Sequence, residues 1–262
     1  DRAVVGDTGG KVWRADFAGN MPSNWKMTLL ANFGRHATPM PNKPNDRRFF
    51  HRPDIVPSRD GIGAFDAILI GSGDRADPLS KAGLVDDYLY MIKDRNIAVG
   101  GGVDSLLDHV DLADVSDNCL QAGTCALNLS NGWKLGLQDD GEKSLATPLT
   151  IGGTVFFTTY APPIGVKANK CSPSEGNGFL YAVSLQNAFA VKNYDVTDDG
   201  LDGSGDSSTD SDRRTLLASE GIPAEVVALP PDQILRPDLT TETATDSSRW
   251  RTFWYNAEDT DL

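Results

Sequence analysis

The chain has 262 residues with 24 basic and 37 acidic side chains, a formal charge of −13, which argues against binding nucleic acid through its phosphates. Hydrophobic residues make up 39%, enough at this length for a substantial core, and 26 Gly with 15 Pro suit a turn-rich β protein. No apolar run is long enough to span a bilayer, and no signal peptide is visible. The chain starts at Asp1 without Met, already in strand-like sequence, so it reads as a fragment or a processed product.

The first unit is RAVVGDTGGKVWRADF, Arg2 to Phe17, in which two apolar strands flank a turn at Asp7 to Gly10. Trp25 to Phe33 follows as an outer strand. Residues 35–46 hold Pro39, Pro41 and Pro44 and read as an ordered surface loop. Arg48 to Val56 reads as an inner strand. A second unit joins FDAILIGSGDRADP, Phe65 to Pro78, to DYLYMIKD, Asp87 to Asp94. A long insert, Ile97 to Asn131, contains a Gly triplet, an acidic stretch from Asp104 to Asp117, and two cysteines; a short helix is expected over Ser105 to Val115. Gly132 to Leu137 returns as an outer strand.

The third unit, Ser144 to Leu185, is a meander. Thr147 to Ile151 alternates with period two, Gly152 and Gly153 supply the positive φ of a tight hairpin, and Thr154 to Tyr160 is β-branched and aromatic almost throughout. Gly178 to Leu185 is its third strand. Tyr194 to Arg214 is an acidic loop of Asp, Gly and Ser, whose plainest reading is a solvated segment. Ala224 to Leu229 and Trp250 to Tyr255 are read as late strands, the aromatics of the latter packing rather than binding.

The second strands of the three units share a pattern: VWRAD, LYMIKD and LYAVSL. Repeated antiparallel sheets that differ in their loops predict an all-β fold, a modified β-propeller with long loop insertions. A β-sandwich of three similar hairpins is the alternative. Blade-like units fall at about 1–34, 47–138 and 144–195, with a remnant at 220–256 and the acidic loop at 194–214. Three to four blades are fewer than most closed propellers contain. The ring therefore reads as incomplete within this chain, or the sheets do not close.

Cys119 and Cys125 are separated by five residues, unlike a CxxC redox or zinc pair, and their proximity favours a small disulfide over free thiols, hence an oxidising compartment. Cys171 is then free or pairs outside this chain. The chain has no GxSxG elbow, HExxH, P-loop or GxGxxG. His36, His51 and His109 have no spacing that makes a metal triad and read as surface residues. Calcium is the remaining chemical theme. Asp195, Thr197 and Asp199 occupy positions one, three and five of a loop with Gly200 sixth; an overlapping frame uses Asp198, Asp202, Gly203 and Asp206. Neither frame has the terminal Glu of a long calcium loop, and a disordered acidic loop is the competing reading.

VVGDTGGKVWRADF, ILIGSGDR, GWKLGLQDDGEKSLATPLTIGGTVFFTTYAPP and CSPSEGNGFLYAVSL occur in an order that closely resembles the C-terminal propeller domain of PilY-type proteins, from Asp1 to about Leu185. The resemblance implies a non-enzymatic, extracellular type IV pilus protein that supports pilus assembly and opposes retraction. It also implies a role at the pilus tip in adhesion and twitching motility. Minor pilins of the tip complex and a host or abiotic surface are the implied partners, with the insert 97–131 and the loop 194–214 as contact regions. Such proteins often carry a calcium loop directly before a sequence like DRAVVGDTGG. Asp1 matches that loop's last acid, without its partners. Two other readings compete. YAVSLQNA is similar in style to blades of quinoprotein dehydrogenases, and a calcium-stabilised structural module of a secreted protein is the other.

Overall fold

The structure, a computed structural model, describes residues 1–34, 45–80, 85–97, 105–163, 175–194 and 209–244. The chain opens with β1 (Arg2–Gly6), β2 (Lys11–Asp16) and β3 (Lys26–Asn32), then β4 (Asp54–Arg59), β5 (Ala64–Gly71) and β6 (Tyr88–Asp94). The insert contributes β7 (Leu107–Asp108) and β8 (Ala113–Asp114) around a 3-10 turn at His109–Asp111, before β9 (Gly132–Gly136). Then come β10 (Lys143–Ser144), β11 (Leu149–Ile151), β12 (Thr154–Ala161), β13 (Asn177–Ser184) and β14 (Arg214–Glu220). The last described strands are β15 (Val227–Leu229), β16 (Gln233–Leu235) and β17 (Thr241–Thr243).

These strands form four sheets. Sheet one runs β1-β2-β3-β7 and sheet two β4-β5-β6-β9-β8. Sheet three runs β10-β12-β13-β14, with β11 also on β12, and sheet four is β15-β16-β17. The hairpin of sheet three turns at Gly152 and Gly153, with φ of +59° and +89°, between the paired Ile151 and Thr154. Two consecutive positive φ values match the twist of the flanking strands, which is why the turn is Gly-Gly. β4 contains Pro57, which has no N–H to give to a ladder. It lies on the edge of sheet two and pairs only with β5. The inner strand expected over Arg48 to Val56 is instead an edge strand, over Asp54–Arg59.

The sheets stack face to face in chain order. Val12, Leu30 and Phe33 of sheet one and its following turn meet Ile68, Ile70, Tyr90 and Ile92 of sheet two. On the other side of the same two strands, Leu69, Leu89 and Met91 join Trp133 to meet Val155, Phe157, Tyr181 and Val183 of sheet three. Sheet three then turns Phe156, Leu180 and Ala182 toward Val226, Ile234 and Ala244. A strand covered on both faces buries odd and even residues alike. For that reason ILI, LYMI and VFFTTYA read as unbroken apolar runs rather than alternating ones. The close fit shows at Gly71, where a Cβ would stand 2.2 Å from Ser144 Oγ of sheet three. The small residues that end the FDAILIGSG strand are there because the neighbouring backbone passes over them.

Ser105 to Val115 is not a helix. The segment makes two short parallel ladders, β7 on β3 and β8 on β9, with a single 3-10 turn between them. Its aspartates explain the difference. Asp108 Oδ1 accepts the His109 amide at 2.6 Å, and Asp111 Oδ2 accepts the Asp108 amide at 2.7 Å. Side-chain bonds of this kind satisfy the backbone locally and compete with helix propagation.

Candidate functional site

Asp195, Thr197, Asp199, Asp202 and Asp206 lie outside the described residues, as do Asp198, Cys171, His36 and Trp250 to Tyr255. Asp1 is exposed beside β1, and its carbonyl accepts the Phe17 amide at 2.9 Å. Among the described residues no group of three or more His, Cys, Asp or Glu is arranged to hold a metal ion.

Several carboxylates that sequence alone leaves unassigned are held by cations, across the first sheet interface or within sheet two. Arg14 of β2 is fully buried and donates to Asp16 at 2.9 Å and, across the first interface, to Asp94 of β6 at 2.5 Å. Arg2 contacts Asp16 at 2.9 Å and Asp66 of β5 at 3.0 Å. Asp60 receives Lys93 and both terminal nitrogens of Arg95, and these partners, Arg95 first, hold its carboxyl far below the usual range. The signal for Arg14 was present in the period of two. In KVWRAD, Arg14 and Asp16 fall on the same face as Val12, so they must be buried with it and must pair.

The insert is a clasp across three sheets. β7 extends sheet one and β8 extends sheet two. Cys119 and Cys125 are bonded, with Cα atoms 5.3 Å apart, closing a loop of turns. The buried Arg213, in the 3-10 turn that leads into β14, donates to the Val115 carbonyl at 2.7 Å, and Gln121 Oε1 of the insert accepts the amide of Ala190, beyond the end of β13, at 3.0 Å. Burial lowers the Arg213 pKa, with Asp210 and Asp117 pulling the other way.

Beside this clasp, sheets two and three border a cleft of about 450 Å³ lined by Asp86, Asp87, Tyr88, Asp139, Asp140 and Glu142. Three of these acids are occupied internally, Asp139 through its Oδ2, which accepts Arg214 at 3.0 Å. Glu142 is buried and accepts the amides of Gln138 and Asp139 at 3.0 Å, Arg214 at 2.9 Å, Tyr181 at 3.1 Å and the Thr159 hydroxyl. Asp87 accepts the Ser72 hydroxyl at 2.7 Å. Burial pushes the Asp87 carboxyl up to about 6, against the pull of Ser72, Lys143 and Arg47. Asp86 and Asp140 face solvent, so the mouth of the cleft presents negative charge suited to a cationic or hydrogen-bond-donating partner group.

The outer face of sheet one is apolar. Register places Val5 beside Trp13 and Trp13 beside Leu29, and in the next row Ala3 beside Ala15 and Ala15 beside Met27. Val5 is 51% exposed, Met27 59% and the neighbouring Trp25 49%. Lys11 is the charged residue of β1, β2 and β3 on this side. It is a face of the kind that covers another surface in the stack.

No family model matches this chain, and no curated protein matches it. Among solved structures it is similar to the crystal structure of the C-terminal domain of PilY1 from Pseudomonas aeruginosa, with a TM-score of 0.62 over 93% of this chain at 16% identity. The chain spans 57% of the length of that neighbour. The fold is therefore that of the PilY1 C-terminal domain, all-β and propeller-like, as the repeat of strands predicts.

Proposed function

We propose that this chain is a propeller region of a type IV pilus-associated protein. In this reading it is a non-enzymatic scaffold that supports pilus assembly and tip-mediated adhesion and twitching motility. The observation that carries the reading is the likeness to the PilY1 C-terminal domain over 93% of the chain. The phrases from VVGDTGGKVWRADF to GFLYAVSL support it independently of the fold. Its partners are minor pilins of the tip complex and a host or abiotic surface, and its location is extracellular. The Cys119–Cys125 bond suits export to an oxidising compartment.

The geometry favours an interfacial mechanism. Stacked sheets make a rigid frame, and recognition falls to what they leave outward: the acidic cleft, the apolar face of sheet one and the surface loops. Calcium belongs to the proposal through the spacing of Asp195, Thr197, Asp199, Asp202 and Asp206 in the acidic loop. The test is genetic. Deleting the coding region of this chain in its source organism is expected to reduce sheared surface pili and twitching-zone diameter, with recovery on complementation. Unchanged pili and unchanged twitching would overturn the proposal. Dye-linked alcohol oxidation by the purified chain with calcium and a quinone would favour the quinoprotein reading instead.

A further inference from the structure

We propose that His109 is an acid-released latch: protonating its ring frees insert residues 105–117 from sheets one and two. The insert is held there by little backbone. Each of its strands makes a two-residue ladder, Ala31 and Asn32 with Leu107 and Asp108, and Trp133 and Lys134 with Ala113 and Asp114. Between those two ladders stand His109, against the aromatics of sheets one and two, and Leu112, buried in the core.

Its ring is enclosed by aromatic groups. Tyr88 lies edge-on at 4.7 Å between centroids, Tyr90 at 5.9 Å and Phe33 at 6.4 Å. Nδ1 is 3.2 Å from the Tyr90 hydroxyl. Both cations facing the ring are tied down. Arg47, from the segment before β4, donates to the carbonyls of Asp86 at 2.7 Å and Phe33 at 3.2 Å, and its guanidinium stacks 4.8 Å from the Tyr88 ring. Lys134 of β9 donates to the His109 carbonyl at 2.8 Å.

The acids nearby come from the insert itself and are already engaged. Asp108 and Asp111 bond backbone amides of the turn, and Asp114 bonds the amide of Ser116 at 3.1 Å and its hydroxyl at 2.5 Å. An imidazolium needs two acceptors. Here Nδ1 faces a tyrosine hydroxyl, and two fixed cations and aromatic groups flank the half-buried ring.

Burial, then Arg47 and Lys134, hold the docked ring down to about 3, with Asp114 and Asp108 opposing. Once released into water the ring returns to roughly 6.5. A depressed folded value means that the docked state is fully favoured above pH 6.5 and loses ground as pH falls toward 3. The ratio of released to docked insert therefore rises about tenfold per pH unit through this window. Release strips β3 and β9 of their insert partners and exposes two ladder edges that another strand can occupy. Asp87 also titrates here, but protonating it relieves a buried charge and works in the opposite direction.

The test is hydrogen–deuterium exchange by mass spectrometry on the 262-residue chain at pH 7, 6 and 5, corrected for intrinsic exchange. Insert peptides covering 105–117, including the Val115 amide bonded to Lys134, are expected to open about tenfold more per pH unit below 6.5, while β5 and β6 stay protected. In His109→Gln the dependence should vanish. An equal slope in His109→Gln, or no slope in the native chain, overturns the latch. If that variant fails to fold, NMR titration of the three histidines decides: a His109 ring that titrates near 6.5 in the folded chain overturns it, and one that stays neutral below pH 5 supports it.

Discussion

The Trp133 indole on β9 donates its Nε1–H to the Leu185 carbonyl, 2.9 Å away, at the end of the strand that closes the meander of sheet three. Trp133 is fully buried, so this bond meets the one polar need of a large apolar group at the interface of sheets two and three.

Removing only the N–H should therefore cost less than removing the ring. Trp133→Phe is expected to destabilise by about 1–3 kcal/mol through the orphaned carbonyl, and Trp133→Ala by about 3–5 kcal/mol through the cavity. Urea unfolding followed by far-UV circular dichroism measures both. A Trp133→Phe variant as stable as the native chain would show that the hydrogen bond contributes nothing.

The buried pair of Arg14 and Asp94 ties sheet one to sheet two. Asp94→Asn removes one of the two carboxylates that Arg14 holds, and Arg14→Met leaves both carboxylates short of a donor. Each single change is expected to cost about 3–5 kcal/mol, and Arg14→Met with Asp94→Leu to cost less than the sum. A double-mutant cycle by chemical denaturation checks the coupling.

Asp87 makes a pH-dependent contribution of defined sign. A carboxyl raised to about 6 favours folding while protonated, fully below the unfolded value of 3.8, and that advantage is lost as pH rises through 6. Asp87→Asn can still accept from Ser72. It is expected to be more stable than the native chain at pH 7.5, by on the order of 2–3 kcal/mol, and to match it near pH 4. Thermal melts across pH 4–7.5 give the comparison. A native advantage at pH 7.5 would mean that the ionised carboxylate is the favoured form.

The Cys119–Cys125 bond closes a short loop in the clasp. Cys119→Ser with Cys125→Ser should lower stability by about 2 kcal/mol, the chain-entropy value for a loop of this size. Hydrogen exchange should rise over 116–125 before it rises in β12 or β13.

Calcium binding by the acidic loop predicts a rise in melting temperature in millimolar calcium, reversed by a chelator. The rise should shrink in Asp199→Asn, which weakens the fifth ligand position. A melting temperature indifferent to calcium and chelator removes the metal from the account.

Much of this architecture is written in local pattern. Period-two alternation over Thr147 to Ile151 marked the region of β11, Gly152 and Gly153 located a turn, and the recurring VWRAD, LYMIKD and LYAVSL strands pointed to stacked sheets. A strand's φ/ψ preference and the side its residues face are short-range properties, and residues within ten positions decide them. The insert defeated that kind of reading. Its leucines suit a helix as well as an extended chain, its aspartates bond the backbone locally, and the edges of β3 and β9 at residues 31–32 and 133–134 took up the extended form.

The composition and repeat of the sequence thus determined an all-β chain of similar sheets. Only the tertiary structure decided which face of each sheet meets which neighbour. It brought Arg14 to Asp94 and Arg213 to Val115 across 80 and 98 residues, and it placed His109 between two ladders. The reason is physical. Burial on both faces removes the alternation that marks a strand's inward side, so the pairing of faces is set by their mutual shape and charge, which exist only once the sheets stack.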